Sequence, residues 1–221
     1  MHDVVIFLGP SLERVEADAI FRAEYRPPAA RGDITAALNE GARVIVLIDG
    51  VFFQDCSVGH REILAALERG TRVIGASSMG ALRAAELDTL GMEGVGLIYR
   101  LYRDGALIAD DEVALIYDPD TFAHLSEPLI NIRCTIRKAK SEGILTEAET
   151  ATLVAAARAL YFPDRTYEGI CDRARDSLSM ETVSRFLEFC RTGAVDQKRA
   201  DAREALLRAR DLAGELGIPD S

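Results

Sequence analysis

No stretch of this 221-residue chain is apolar for long enough to cross a bilayer. The longest purely apolar runs, such as Val4 to Leu8 and Val44 to Ile48, are five residues, against the roughly 20 that a spanning helix requires. The N-terminus shows neither a basic n-region nor a cleavage site, so a cytoplasmic protein is expected. Positive charge is also in short supply. Lys and Arg number 26 against 36 Asp and Glu, a formal charge of −10, which argues against non-specific binding to a phosphate backbone. Lysine is the scarcest cation, confined to Lys138, Lys140 and Lys198. Cys56, Cys134, Cys171 and Cys190 show no CxxC or Cys/His spacing. Reduced, individually buried thiols are therefore expected rather than a disulfide framework or a zinc site.

What is present is a large apolar fraction, 48%, enough for a substantial core. Three runs rich in Val and Ile, "VVIFL" (4–8), "RVIVLI" (43–48) and "RVIG" (72–75), lack clean alternation. They read as strands buried on both faces, as in a parallel sheet covered by helices. Each precedes turn residues and then helix-like sequence. Ser11 is placed to cap a helix through Ala19, and Gly70 to stop the helix in "HREILAALERG". Ligands of such α/β folds lie outside the carboxyl ends of the strands, an edge that would gather Gly9 to Ser11, Asp49 to Phe52 and Gly75 to Gly80. "DDEVALIYDP" (110–119) reads as an exposed strand or hairpin arm.

From Ser126 the period becomes helical. One helix is expected after Pro128 and before Gly143, a second behind the capping-box pair Thr146 and Glu149, and others over 166–175, 180–191 and 195–216. The fold expected is α/β: a short, mostly parallel sheet with flanking helices in the N-terminal half, followed by a mostly helical C-terminal half. The expected division is 1–120, an α/β core carrying the serine turn, and 121–221, a helical region packed on that core.

The serine turn is "VIGASSMGALRAAEL" (73–87). Ala76 to Gly80 place small residues two positions either side of Ser78, as in a nucleophile elbow, which exposes a serine oxygen at a helix N-terminus beside free N–H groups. The plainer reading is a tight strand-to-helix turn, in which Ser77 caps, glycine allows close packing and Ser78 does no chemistry. "GASSMG" also matches GxGxxG with Ser77 in place of the middle glycine, a change that obstructs close approach of a pyrophosphate. No cofactor is expected.

A serine nucleophile needs a base. His60 begins the helix before the third strand, although an isolated histidine is more often structural. A lysine can serve where burial or neighbouring cations disfavour its charge, yet Lys198 in "VDQKRADAREALL" reads by itself as a solvated surface charge. Helical spacing in "NIRCTIRKAK" aligns Arg133, Arg137 and Lys140 behind Asn131, as a solvated face or as a docking surface for carboxylates. Asp110 to Glu112 suit salt bridges or partner contacts, and no metal is expected.

Taken with "FLGPSL", "IDGVFF", "GHREIL", "DDEV" and "NIRCTI", the serine turn resembles the TfuA-like family in order from Val5 to about Ile136, with a weaker likeness at "DQKRADA". The resemblance implies a protein that acts beside a YcaO enzyme in replacing a backbone amide oxygen by sulfur. It implies hydrolysis of the C-terminal thiocarboxylate of a ThiS-type sulfur-carrier protein, delivering sulfide to YcaO, with a precursor peptide or target protein as a further partner. It further implies a Ser-Lys pair, carried here to Ser78 and Lys198, with Lys138 and His60 open as alternative bases. Ser77, Met79, Gly80, Arg83, His60, Asn131 and Arg133 take supporting or substrate-binding roles, and the small residues of 75–80 suit a narrow channel for the carrier tail. A non-catalytic adaptor that recruits substrate to YcaO, and a generic serine hydrolase, are the other readings.

Overall fold

The computed structural model describes residues 2–52 and 56–219; Phe53, which ends "IDGVFF", lies outside them. Two compact units result, residues 1–108 with 198–221 and residues 109–197. These bounds differ from a division at residue 120 because the last helix joins the sheet core, apart from the other C-terminal helices.

In the first unit the order is β1 (Val4–Phe7), α1 (Arg14–Ile20), β2 (Glu24–Arg26), α2 (Asp33–Asn39), β3 (Val44–Leu47), α3 (His60–Glu68), β4 (Arg72–Ala76), α4 (Met79–Leu87), β5 (Glu93–Val95) and α5 (Gly96–Arg103). The second unit contributes α6 (Leu129–Ser141), α7 (Glu147–Ala159), α8 (Tyr167–Arg173) and α9 (Met180–Gly193); α10 (Gln197–Glu215) then returns to the first. The sheet is parallel throughout, in the order β2-β1-β3-β4-β5. Its winding reverses between β1 and β3, the place where ligands of doubly wound sheets bind.

The apolar runs became strands because both pleat faces are covered. Val4, Ile6, Val44, Val46, Ile74 and Ala76 share one face with α1 and with Ala202, Ala205, Leu206, Ala209 and Leu212 of α10. Each fully buried Leu in this layer is worth roughly 1.5–3 kcal/mol. Residues between them face the other way, where α3 and α4 pack on β4. Edge strands β2 and β5 were not expected: each is three residues and only partly buried, too short for a pattern.

Two local expectations are corrected. Helix α1 begins at Arg14 behind Glu13, and Ser11 caps nothing because its hydroxyl bonds Asp49. Asp110–Glu112 form a 3₁₀ turn, and the hairpin arm reduces to one antiparallel bridge between Tyr117 and His124. The carboxylates bend inward to arginines: Asp111 accepts from buried Arg165 at 2.6 Å, and Glu112 takes both prongs of Arg133 at 2.6 and 2.8 Å.

The second unit packs Leu129, Ile132, Ile136, Leu153, Ile170 and Phe186 into its own core. Thr146 and Glu149 close the expected capping box of α7. None of the four cysteines forms a disulfide, but only Cys171 is fully buried; Cys134 and Cys190 are half-buried and Cys56 is exposed. Burial pushes the Cys171 thiol up to about 11 and that of Cys190 to about 12. Among the described residues no helix is long and apolar enough to cross a membrane, and no three His, Cys, Asp or Glu side chains form a metal-ligand group.

Candidate functional site

Strand β4 ends in a tight reversal. The Ser78 N–H donates to the Ala76 carbonyl at 2.8 Å, closing a γ-turn around Ser77, whose φ is +65°. That positive-φ form of the γ-turn is strained for a residue with a Cβ. It persists because Ser77 is fully buried with its hydroxyl 2.9 Å from Ser11 Oγ and 2.8 Å from the Lys198 carbonyl. Ser77 is thus the residue on which the turn is built and does not act as a cap.

Ser78 follows in the N-cap position of α4, with no side-chain capping bond. Its hydroxyl joins no hydrogen bond among the described residues, and 8% of the residue is exposed. The next N–H, that of Met79, opens α4 and has no acceptor among the described residues. A free hydroxyl followed by a free helix-terminal N–H is the pairing that an elbow supplies for a nucleophile and an oxyanion.

The glycines hold this turn against the sheet. A Cβ on Gly80 would lie 1.7 Å from the Leu47 carbonyl oxygen, and one on Gly75 would lie 2.2 Å from that of Gly80. Both are buried. Their smallness is taken up by the contact of α4 with β3 and β4.

Lys198 is the largest departure from a reading by composition. Only 1% exposed, it occupies the start of α10, with Nζ 4.0 Å from Oδ1 of buried Asp49. Asp49 extends from the end of β3, where its Oδ2 accepts from the N–H groups of Gly9 and Ser11 at 2.9 and 3.1 Å, and Oδ1 from the Ser11 hydroxyl at 2.7 Å. The ends of β1, β3 and β4 and the start of α10 thereby share one buried polar cluster. No direct hydrogen bond joins the Ser78 and Lys198 side chains; hydrogen bonds of catalytic pairs often tighten only with substrate.

The remaining candidates have other engagements. His60 Nε2 lies 2.7 Å from Glu86 Oε2, and Arg83 donates to Glu86 and to the Val58 carbonyl at 2.7 and 3.0 Å, forming a flank cluster on α3 and α4. Lys138 donates to the Gly193 carbonyl at 3.2 Å. Asn131 and Arg133 belong to the second unit. Asn131 is buried, donates to Asp196 at 3.0 Å and accepts from the Gln197 N–H at 2.9 Å, while Arg133 is held by Glu112. Of the basic stripe, Lys140 pairs with Glu147 while Arg137 is exposed. Sequence reasoning gave Asp49 and Ser11 no role in the site, although it set both at the sheet edge. Nothing local distinguishes an aspartate that will face a lysine about 150 residues away.

A family model described as TfuA-like protein matches residues 49–166, from Asp49 through the serine turn to Thr166. No curated protein gives a significant match to the chain.

Proposed function

This chain belongs to the TfuA-like family, and from that premise we propose that it hydrolyses the C-terminal thiocarboxylate of a ThiS-type sulfur-carrier protein, releasing sulfide for YcaO-dependent thioamidation of a peptide backbone. The observation that carries the reading is the pairing at the end of β4: an unengaged Ser78 hydroxyl beside the unengaged Met79 N–H.

In this reading Ser78 Oγ attacks the thiocarboxylate carbon and its proton passes to the amine of Lys198. The developing oxyanion is met by the Met79 N–H and by the positive end of α4. As the tetrahedral species collapses, the Lys198 ammonium returns that proton to the departing sulfur, so that hydrosulfide leaves, the amine is neutral again and the carrier is esterified to Ser78. Hydrosulfide is a far better leaving group than an amine, so little acid catalysis is required. Water, giving up a proton to the Lys198 amine, then attacks the ester and frees the carrier carboxylate and the serine. The burial of Ser78, only 8% exposed, strengthens the oxyanion contact by limiting bulk water.

The test is sulfide release from a thiocarboxylated ThiS-type carrier by purified protein. Wild type should convert carrier to carboxylate with stoichiometric sulfide, and Lys198→Ala and Ser78→Ala should each lose at least about 100-fold in rate. If Ser78→Ala supports YcaO-dependent thioamidation as well as wild type does, the protein is an adaptor. Turnover of small esters without preference for the thiocarboxylated carrier would instead indicate a general serine hydrolase.

A further inference from the structure

We propose that Asp49 is a positioning residue for Lys198: it holds the amine at the mouth of the β1 and β3 ends and stabilises the ammonium formed when that amine takes a proton. The inference rests on Lys198 serving as the base in the reading above.

A carboxylate buried to 2% exposure persists as an anion only if its oxygens are satisfied. Three donors do this for Asp49: two backbone N–H groups of the β1 loop and the Ser11 hydroxyl. The same bonds fix the carboxylate at the reversal of sheet winding, with Oδ1 4.0 Å from Lys198 Nζ. A proton arriving on Lys198 creates a cation shielded from bulk solvent, where an isolated charge is costly and a facing carboxylate offsets much of the cost. This is the part played by the third member of a nucleophile, base and orienter set.

The other charges near this turn are committed. Asp201, one helical turn further along α10 and also buried, accepts the Ile98 N–H at 2.7 Å. Arg199 is paired with Glu16 on α1. Asp49 also acts on the serine turn, since the Ser11 hydroxyl that it fixes lies 2.9 Å from Ser77 Oγ.

The experiment is a double-mutant cycle with Asp49→Asn, Lys198→Met and the double variant, followed by sulfide release from the thiocarboxylated carrier and by thermal unfolding. Asparagine can keep its oxygen on the Gly9 and Ser11 N–H groups, so the change removes charge with little change of shape. Asp49→Asn should lower kcat at least about 10-fold with KM within about 2-fold, and should reduce the residual rate of Lys198→Met no further. It should also lower Tm by about 5 °C, because it takes away the carboxylate that the buried amine faces, and the double variant, with neither amine nor carboxylate, should regain most of that loss. The recovery stays measurable even where Asp49→Asn is too unstable to assay. Rate losses that multiply and Tm losses that add would overturn the proposal, as would a wild-type kcat in Asp49→Asn. Should wild type release no sulfide, the hydrolase reading fails, while additivity or recovery in Tm still decides whether Asp49 and Lys198 act as a pair.

Discussion

The Ser77 hydroxyl lies 2.8 Å from the carbonyl oxygen of Lys198, joining the end of β4 to the start of α10 across 121 positions of sequence. Two adjacent serines are thereby divided in labour. Ser77 spends its hydroxyl on the fold and Ser78 keeps its own uncommitted.

Ser77→Ala should lose about 1–3 kcal/mol of stability, since it removes the buried hydroxyl set between the Ser11 oxygen and the Lys198 carbonyl, the donor to one of them. Its rate per folded molecule should stay within about 10-fold of wild type. Ser78→Ala should show the reverse, with Tm within about 2 °C because no hydrogen bond is lost. Thermal denaturation and sulfide release on the same preparations separate the two.

Gly80→Ala should be damaging although alanine is the better helix former. Its Cβ would fall 1.7 Å from the Leu47 carbonyl oxygen, backbone that cannot rotate away. A loss of about 3 kcal/mol or more is expected, read from urea unfolding; a variant as stable as wild type would mean that α4 does not sit this close to β3.

Arg133 is expected to act through stability rather than substrate. Arg133→Gln and Glu112→Gln each leave a partner alone, so each should lower Tm, and the double variant by less than their sum. KM for the carrier should stay within about 2-fold of wild type in all three; a KM rise confined to the Arg133 variants would restore a substrate-binding role.

Acid stability should depend on the α7 cap. The Thr146 backbone N–H, with the Thr182 and Thr146 hydroxyls, holds Glu149 down to about 2 from an ordinary 4.5. The native state therefore prefers the carboxylate, so the cap's contribution is complete above about pH 4.5 and is lost as pH falls through 2. Comparing Tm against pH for wild type and Glu149→Gln, the gap should be widest near neutrality and shrink toward pH 2. A gap independent of pH would contradict this account of the cap.

The parallel sheet and the C-terminal helices were legible because their signals are local: unbroken Val and Ile runs, the Thr146 and Glu149 cap, and Pro128 and Gly143 bounding α6. The tight turn from β4 into α4 was legible as well, from the small residues that flank Ser78. Lys198 was not, because its burial is decided by the end of β3, and "DQKRADA" taken alone has the look of a wetted helix face. The pairings of Arg133 and Lys140 were hidden for the same reason, their partners Glu112 and Glu147 lying on other segments. The glycines were seen correctly as permitting a close approach, but what approaches is the sheet.

The most direct test of the central claim is a quenched single turnover of thiocarboxylated carrier, read by intact mass and peptide mapping. The account predicts a transient adduct of protein plus carrier less one hydrogen sulfide, located on Ser78, absent from Ser78→Ala and decaying as carrier carboxylate forms. Undiminished sulfide release by Ser78→Ala, with no carrier ester on the wild-type protein, would contradict it.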